Sequence, residues 1–274
     1  MRYPRVKLHF ISKHEEDMDI EKNEAKNEHK NIALDKEYIT MFGLVLKELL
    51  KKRVVEKIDK INTKFLNMPY YKNYAATSGR VHNITNHEDA VKDILISEGI
   101  GPFEIKQTKK TILKWLDNPE TSNNIMPINT FIYQPCGSHE SPDFIVKFAD
   151  NFILAVECKS SNTTLPLYNS GGIKSNYYYI FSSNSTNNTV TYMGYNIINK
   201  EQQELIETHI KEARERDELL NKKLKELDKN HRGVCYYTRP MINQAGGCEY
   251  TNYFKHTNRE NANYSVVDFV RANL

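Results

Sequence analysis

Residues 134–160 read QPCGSHESPDFIVKFADNFILAVECKS, and the two apolar runs inside this stretch decide the fold. Residues 144–148 and 152–157 are rich in β-branched and aromatic side chains, with Asp150 and Asn151 between them as turn residues. The stretch therefore predicts a β-hairpin. The second run, FILAV, has no polar residue before Glu157, which predicts a strand buried on both faces. Asp143 stands at the start of the first strand. Glu157 and Lys159 stand at the end of the second, two residues apart and so on one face. Antiparallel pairing returns the end of the second strand to the start of the first, so two carboxylates and an ammonium converge. Ionisable groups at the end of so apolar a strand are costly unless paired or bound to a metal. A hard divalent cation relieves the repulsion between adjacent carboxylates, and Mg²⁺ is commonly held by one or two of them plus waters and phosphate oxygens.

On the N-terminal side, residues 13–31 are almost wholly polar and read as a surface helix, a long loop or a partly disordered stretch. From Tyr38, Ile39, Phe42, Leu46, Leu49 and Leu50 recur at helical steps, with Lys47, Lys51, Lys52 and Arg53 on the polar side. The pattern continues through Val55, Ile58 and Ile61. A second helix starts with Asn86 as N-cap and Asp89 supporting its positive end, and a third segment runs from Lys106 to Asn118-Pro119. Around and beyond the hairpin, residues 131–133, 177–182 and 190–193 read as strands and 201–229 as the longest helix. On that helix Ile206, Ile210, Ala213, Leu220, Leu224 and Leu227 form an apolar face. Glu207/Lys211, Glu212/Arg216 and Glu218/Lys222 stand at ion-pair spacing. The order implies an α/β (α+β) fold, a central mixed β-sheet flanked by helices. We expect one domain over 1–274, with mainly helical chain over 1–125, a core over 126–200, and helix and loop over 201–274.

Hydrophobic residues make up 39% of the 274, enough for a packed core, and no apolar run is long enough to span a bilayer. No apolar stretch follows the early charges of MRYPR, so a secretory leader is not expected. Cys136, Cys158, Cys235 and Cys248 are widely spaced and fit neither a zinc site nor a disulfide framework, so a reducing cytoplasm is expected. The net charge of +3 permits a nucleic-acid partner without requiring one.

Pro142-Asp143 followed by Glu157-Cys158-Lys159 resembles the PD-(D/E)xK nuclease signature. The flanking QPCGS at 134–138 and the YYYIFSS and TYMGYNII segments resemble type II restriction endonucleases. The strict motif spans only these few residues, and the looser resemblance reaches from about Gln134 to Asn199. The resemblance implies a restriction-endonuclease-like core, and a homodimer that hydrolyses specific double-stranded DNA to 5′-phosphate ends. It implies Mg²⁺ as cofactor, with Mn²⁺ substituting and Ca²⁺ binding without supporting cleavage. Asp143, Glu157 and the backbone carbonyl of Cys158 would hold the metal, and Lys159 would orient the attacking water and neutralise the scissile phosphate. An additional acid from a preceding helix would be Glu88, with Glu98 second. Two other readings stay open: a repair or junction-resolving nuclease of the same superfamily, and a DNA-binding protein without catalysis.

Side-chain type nominates the DNA contacts. Ser138 and His139 precede the motif, Lys174 and Asn176 follow the glycines at 171–172, and Arg239, Asn243 and Gln244 have base-reading chemistry. Each has a plainer reading as a loop or surface residue. The 38–53 lysines are more simply a solvated face, and the charge-balanced 201–229 helix a structural or dimer-forming one. Cys158 reads as a packing residue rather than a nucleophile.

Overall fold

Strands rich in aromatic and β-branched residues recur from Phe131 onward, and they build the sheet around which the rest is arranged. A computed structural model describes residues 40–73, 86–138, 140–169, 172–244 and 253–274. The chain divides into two compact units, 1–53 and 54–274. In the first, residues 40–53 are helical with Phe42, Leu44 and Leu49 exposed.

The second unit opens with helix α1 over residues 54–66. Helix α2 (His87–Ser97) follows, its first turn capped by Asn86, whose Oδ1 accepts from the N–H of Asp89 at 2.8 Å. Glu88 and Asp89 in that turn complement the helix dipole. Strand β1 (Gly101–Pro102) leads to helix α3 (Lys109–Asp117), capped by Thr108, and a 3₁₀ turn at Pro119–Ser122. Then come β2 (Thr130–Tyr133), β3 (Phe144–Ala149), β4 (Phe152–Ser161), β5 (Tyr168–Asn169), β6 (Tyr178–Ser183) and β7 (Asn188–Met193). Helix α4 (Lys200–Leu227), strand β8 (Met241–Ile242) and helix α5 (Arg259–Asn273) complete the unit. Six strands form one mixed sheet in the order β1-β2-β3-β4-β6-β7, and β5 pairs with β8 in a separate ribbon. β4 runs antiparallel to β3 but parallel to β6.

The expected hairpin is present, with Asp150 and Asn151 at its turn and Phe148 bulged between paired Lys147 and Ala149. One boundary differs. β4 continues past Glu157 to Ser161, because β6 supplies a parallel partner for the polar Lys159-Ser160-Ser161 tail. Its side chains divide by parity. Leu154, Val156 and Cys158 join a core with α1, α2 and α5, while Ala155 joins Tyr168, Tyr179 and Tyr192 on the other face. Both faces are covered, and each fully buried aliphatic or aromatic side chain adds about 1.5–3 kcal/mol.

The long helix departs further from its reading. Of the apolar residues on α4 only Ala213 is buried, and Leu220 and Leu227 face solvent. None of the three anticipated ion pairs forms among the described residues; Glu207 pairs with Lys174 and Lys211 with Glu215. Nearer the C-terminus, Tyr253 and Phe254 lie outside any helical or strand pattern, yet both are buried with their rings against Phe181.

A buried polar cluster ties three elements together. Asn62 Oδ1 accepts from Tyr178 Oη (2.6 Å) and Thr191 Oγ1 (2.8 Å), and Asn62 Nδ2 donates to the Asn263 carbonyl (2.9 Å). Asn62→Ala strands the Tyr178 hydroxyl in the core, at about 1–3 kcal/mol for an unsatisfied group, while Thr191 Oγ1 keeps its bond to the Asn263 carbonyl (2.9 Å). Urea unfolding of Asn62→Ala should show a loss of about 2 kcal/mol, against under about 0.5 kcal/mol for an exposed surface substitution.

Candidate active site

The β3–β4 ladder ends at the Phe144–Val156 pair, and β4 goes on alone against β6. On the edge so freed, Asp143 Oδ2 accepts from the backbone N–H of Cys158 at 2.7 Å. The Asp143 carbonyl in turn accepts from the N–H of Gln134 at 2.8 Å. The residue is thus held by backbone on both sides of the strand break. Glu157 and Lys159 follow at alternate positions of β4, with Lys159 Nζ 2.6 Å from Glu157 Oε1. Glu157 is 5% exposed, and its second oxygen, Oε2, is buried without a hydrogen-bond partner.

Glu88, Ser138, Asp143, Glu157, Lys159 and Arg239 all line one open cleft of about 380 Å³. Glu140 lines it as well, paired with Lys109 at 2.8 Å. α2 brings Glu88 to the cleft from its first turn. Glu98, at the other end of the same helix, is taken up by Lys60 (2.9 Å) and Lys64 and does not line the cleft.

The electrostatics follow from crowding acids in a dry place. Burial first, then the charge of Glu157, pushes Asp143 up to about 7. Burial raises Glu157 too, against the opposing pull of Lys159. Glu88 is raised by burial and then by Asp143. The Cys158 thiol is driven well above its ordinary value by burial, so it packs rather than reacts.

These residues suit a divalent cation. Carboxylates held near one another at raised pKa gain from a positive charge, and Glu157 Oε2 is a buried acceptor with nothing to accept from. Among the described residues, no group of three or more His, Cys, Asp or Glu side chains is arranged to hold a metal. The fit is therefore to an ion that takes Asp143 and Glu157 and completes its shell with water and substrate oxygens, as Mg²⁺ does.

The nominated DNA contacts separate. Ser138 and Arg239 line the cleft, and His139 lies outside the described residues. Lys174 is engaged with Glu207, and Gln244 Oε1 accepts from Tyr253 Oη. Asn176 and Asn243 are exposed away from the cleft lining. The sequence reading misses His87, which precedes Glu88. It is 3% exposed, stacks on Tyr71 at 6.0 Å, and is pushed down to about 3 by burial, hence neutral. Its position beside an acid in a helix's first turn is the available signal. Also missed is Asn169 of β5, brought to the cleft by the ribbon. Compared with protein-family profiles, curated proteins and solved structures, the chain matches none.

A raised carboxyl pKa links the site to stability. With Asp143 near 3.8 unfolded and about 7 folded, its favourable contribution is full below about pH 4 and is lost as pH rises through about 7. In EDTA at about pH 8, Asp143→Asn should stabilise the protein by on the order of 2 kcal/mol in urea unfolding, and the gain should vanish near pH 4.

Proposed function

We propose that this protein is a Mg²⁺-dependent endonuclease acting on double-stranded DNA, a PD-(D/E)xK enzyme of the type II restriction class. The observation that carries the reading is the convergence of Asp143, Glu157, Lys159 and Glu88 on one open cleft where β4 leaves β3. The mixed sheet flanked by helices agrees with the core that the motif implies.

Bound by Asp143 and Glu157, Mg²⁺ would polarise a phosphoryl oxygen and lower the pKa of a water. The chain's own groups supply the rest. Asp143 is fixed by the Cys158 N–H, so its free oxygen keeps its direction when substrate enters. Glu157 holds Lys159 at the cleft, where its ammonium donates to the attacking water or to a non-bridging phosphate oxygen. Water oxygen attacks phosphorus, the P–O3′ bond breaks, and the 3′ oxygen takes a proton, leaving a 5′-phosphate. Glu88, raised in pKa beside Asp143, is an extra acid for the ion's water shell.

Cutting two strands symmetrically calls for two copies of the site. Exposed Leu205, Leu219 and Leu227 on α4 offer apolar surface to a second copy.

Digestion of unmethylated plasmid and phage DNA with Mg²⁺ tests the reading. The wild type should give discrete fragments that Asp143→Ala and Glu157→Ala abolish, and Lys159→Ala should slow cleavage roughly 100-fold or more. A smear lost in the variants would retain the nuclease and remove the restriction class. No cleavage of linear, branched or methylated DNA would reject the nuclease and favour a DNA-binding protein.

A further inference from the structure

Arg239 stands apart from the other cations around the cleft. Lys159, which also lines the cleft, is paired with Glu157, and Lys109 is paired with the cleft's Glu140. Arg239 lines a cleft that also contains Glu88, Glu140, Asp143 and Glu157, yet among the described residues it makes no ion pair or hydrogen bond.

Its backbone, by contrast, is anchored on both sides. On one side Asp217 of α4 accepts from the N–H and the Oγ1 (3.0 Å) of Thr238. On the other, Met241 and Ile242 pair with Asn169 and Tyr168 of β5. Tyr168 is fully buried, and its hydroxyl shares hydrogen bonds with Tyr192 (2.8 Å) and Tyr253 (2.9 Å). A short span of backbone is thus pinned to α4 and to the core, and the arginine projects from it with its five N–H donors unspent.

The direction of approach matters as well. α2, which carries Glu88, packs with Cys158 on one face of β4, whereas Tyr168 of the ribbon packs with Ala155 on the Glu157 face. The ribbon that follows Arg239 therefore lies on the side of the sheet that presents Glu157 and Lys159. Arg239 is exposed and pairs with none of the cleft's acids, so its guanidinium adds little to stability where it stands. A guanidinium fork does match two oxygens of a phosphate.

We infer that Arg239 binds a backbone phosphate of the DNA strand lying in the cleft, as a substrate-gripping residue rather than a base reader. The inference rests on the nuclease reading above. It assigns Arg239 a sequence-independent contact, in place of the guanine contact its side-chain type suggests.

The test uses the full chain with two readouts. The first is binding of a short mixed-sequence duplex in Ca²⁺ across a KCl series, and the second is Mg²⁺-dependent cleavage of supercoiled plasmid. Arg239→Ala should weaken duplex binding about tenfold and lower the slope of log Kd against log salt by roughly 0.9, the signature of one lost phosphate contact. In cleavage it should raise KM about tenfold with kcat changed less than about threefold, and Arg239→Lys should recover part of the loss. A structural defect would instead lower the melting temperature and leave the salt slope alone, which counts against the inference. Wild-type cleavage with an unchanged slope and KM in Arg239→Ala overturns the inference while the nuclease stands. Loss of discrimination between sequences with an unchanged salt slope overturns it in favour of base reading. A wild type that neither binds nor cleaves DNA removes both the inference and the nuclease reading.

Discussion

β3 begins at Phe144 while β4 runs on to Ser161, so beyond Val156 one edge of β4 has no strand beside it. An interior strand with bare backbone N–H groups is expensive. The hydrogen bond from the Cys158 N–H to Asp143 Oδ2 meets part of that need with a side chain instead of a strand. Both strand partners of β4 are set by this arrangement: antiparallel β3 up to the break and parallel β6 through and past it. The break creates the cleft, and the capping carboxylate is itself one of the cleft's acids.

The same arrangement puts the acids at a disadvantage. Asp143, Glu157 and Glu88 each have a raised pKa, mainly because burial strips their water, and a neighbouring carboxylate adds to the effect in each case. Lys159 offsets only one of the two oxygens of Glu157. The rest of the molecule compensates with ordinary cohesion: a sheet covered on both faces, and the Asn62–Tyr178–Thr191–Asn263 cluster joining α1, the sheet and α5. Local frustration at a site, held by consistent packing elsewhere, is the usual arrangement where function asks for charge in a dry place.

The hairpin and the convergence of Asp143, Glu157 and Lys159 are legible in the sequence because their geometry is local. A two-residue turn and strand alternation are enough to place them. Asn86 is legible as a cap, and Glu88, named ahead of Glu98 from the sequence, stands in the first turn of α2 and lines the cleft. What escapes depends on distant chain. Lys159-Ser160-Ser161 does not look like a strand until β6 lies beside it. Lys147 is completely buried, and its partners Ser122 and Asn123, which accept from its ammonium at 3.0 and 2.7 Å, have no local sign beside it in the sequence. The two-residue strands β5 and β8 carry no periodicity at all, and so the arrival of Arg239 in the cleft has no local sign. On α4, helical spacing correctly marks a helix but overstates its burial, because periodicity reports a stripe and not what covers it.

The order in which these elements are made has a consequence of its own. Val266, Val267 and Val270 of α5 close the core that β4 and β6 share with α1 and α2. About 65 residues separate Met193, the end of the sheet, from the start of α5. At roughly 5–20 residues per second of synthesis, several seconds separate the last strand of the sheet from the α5 valines that complete this core. During that interval Asn62 and Thr191 lack the Asn263 carbonyl that both donate to. The acids of the cleft are thus encoded before the last piece of the packing that holds their sheet together.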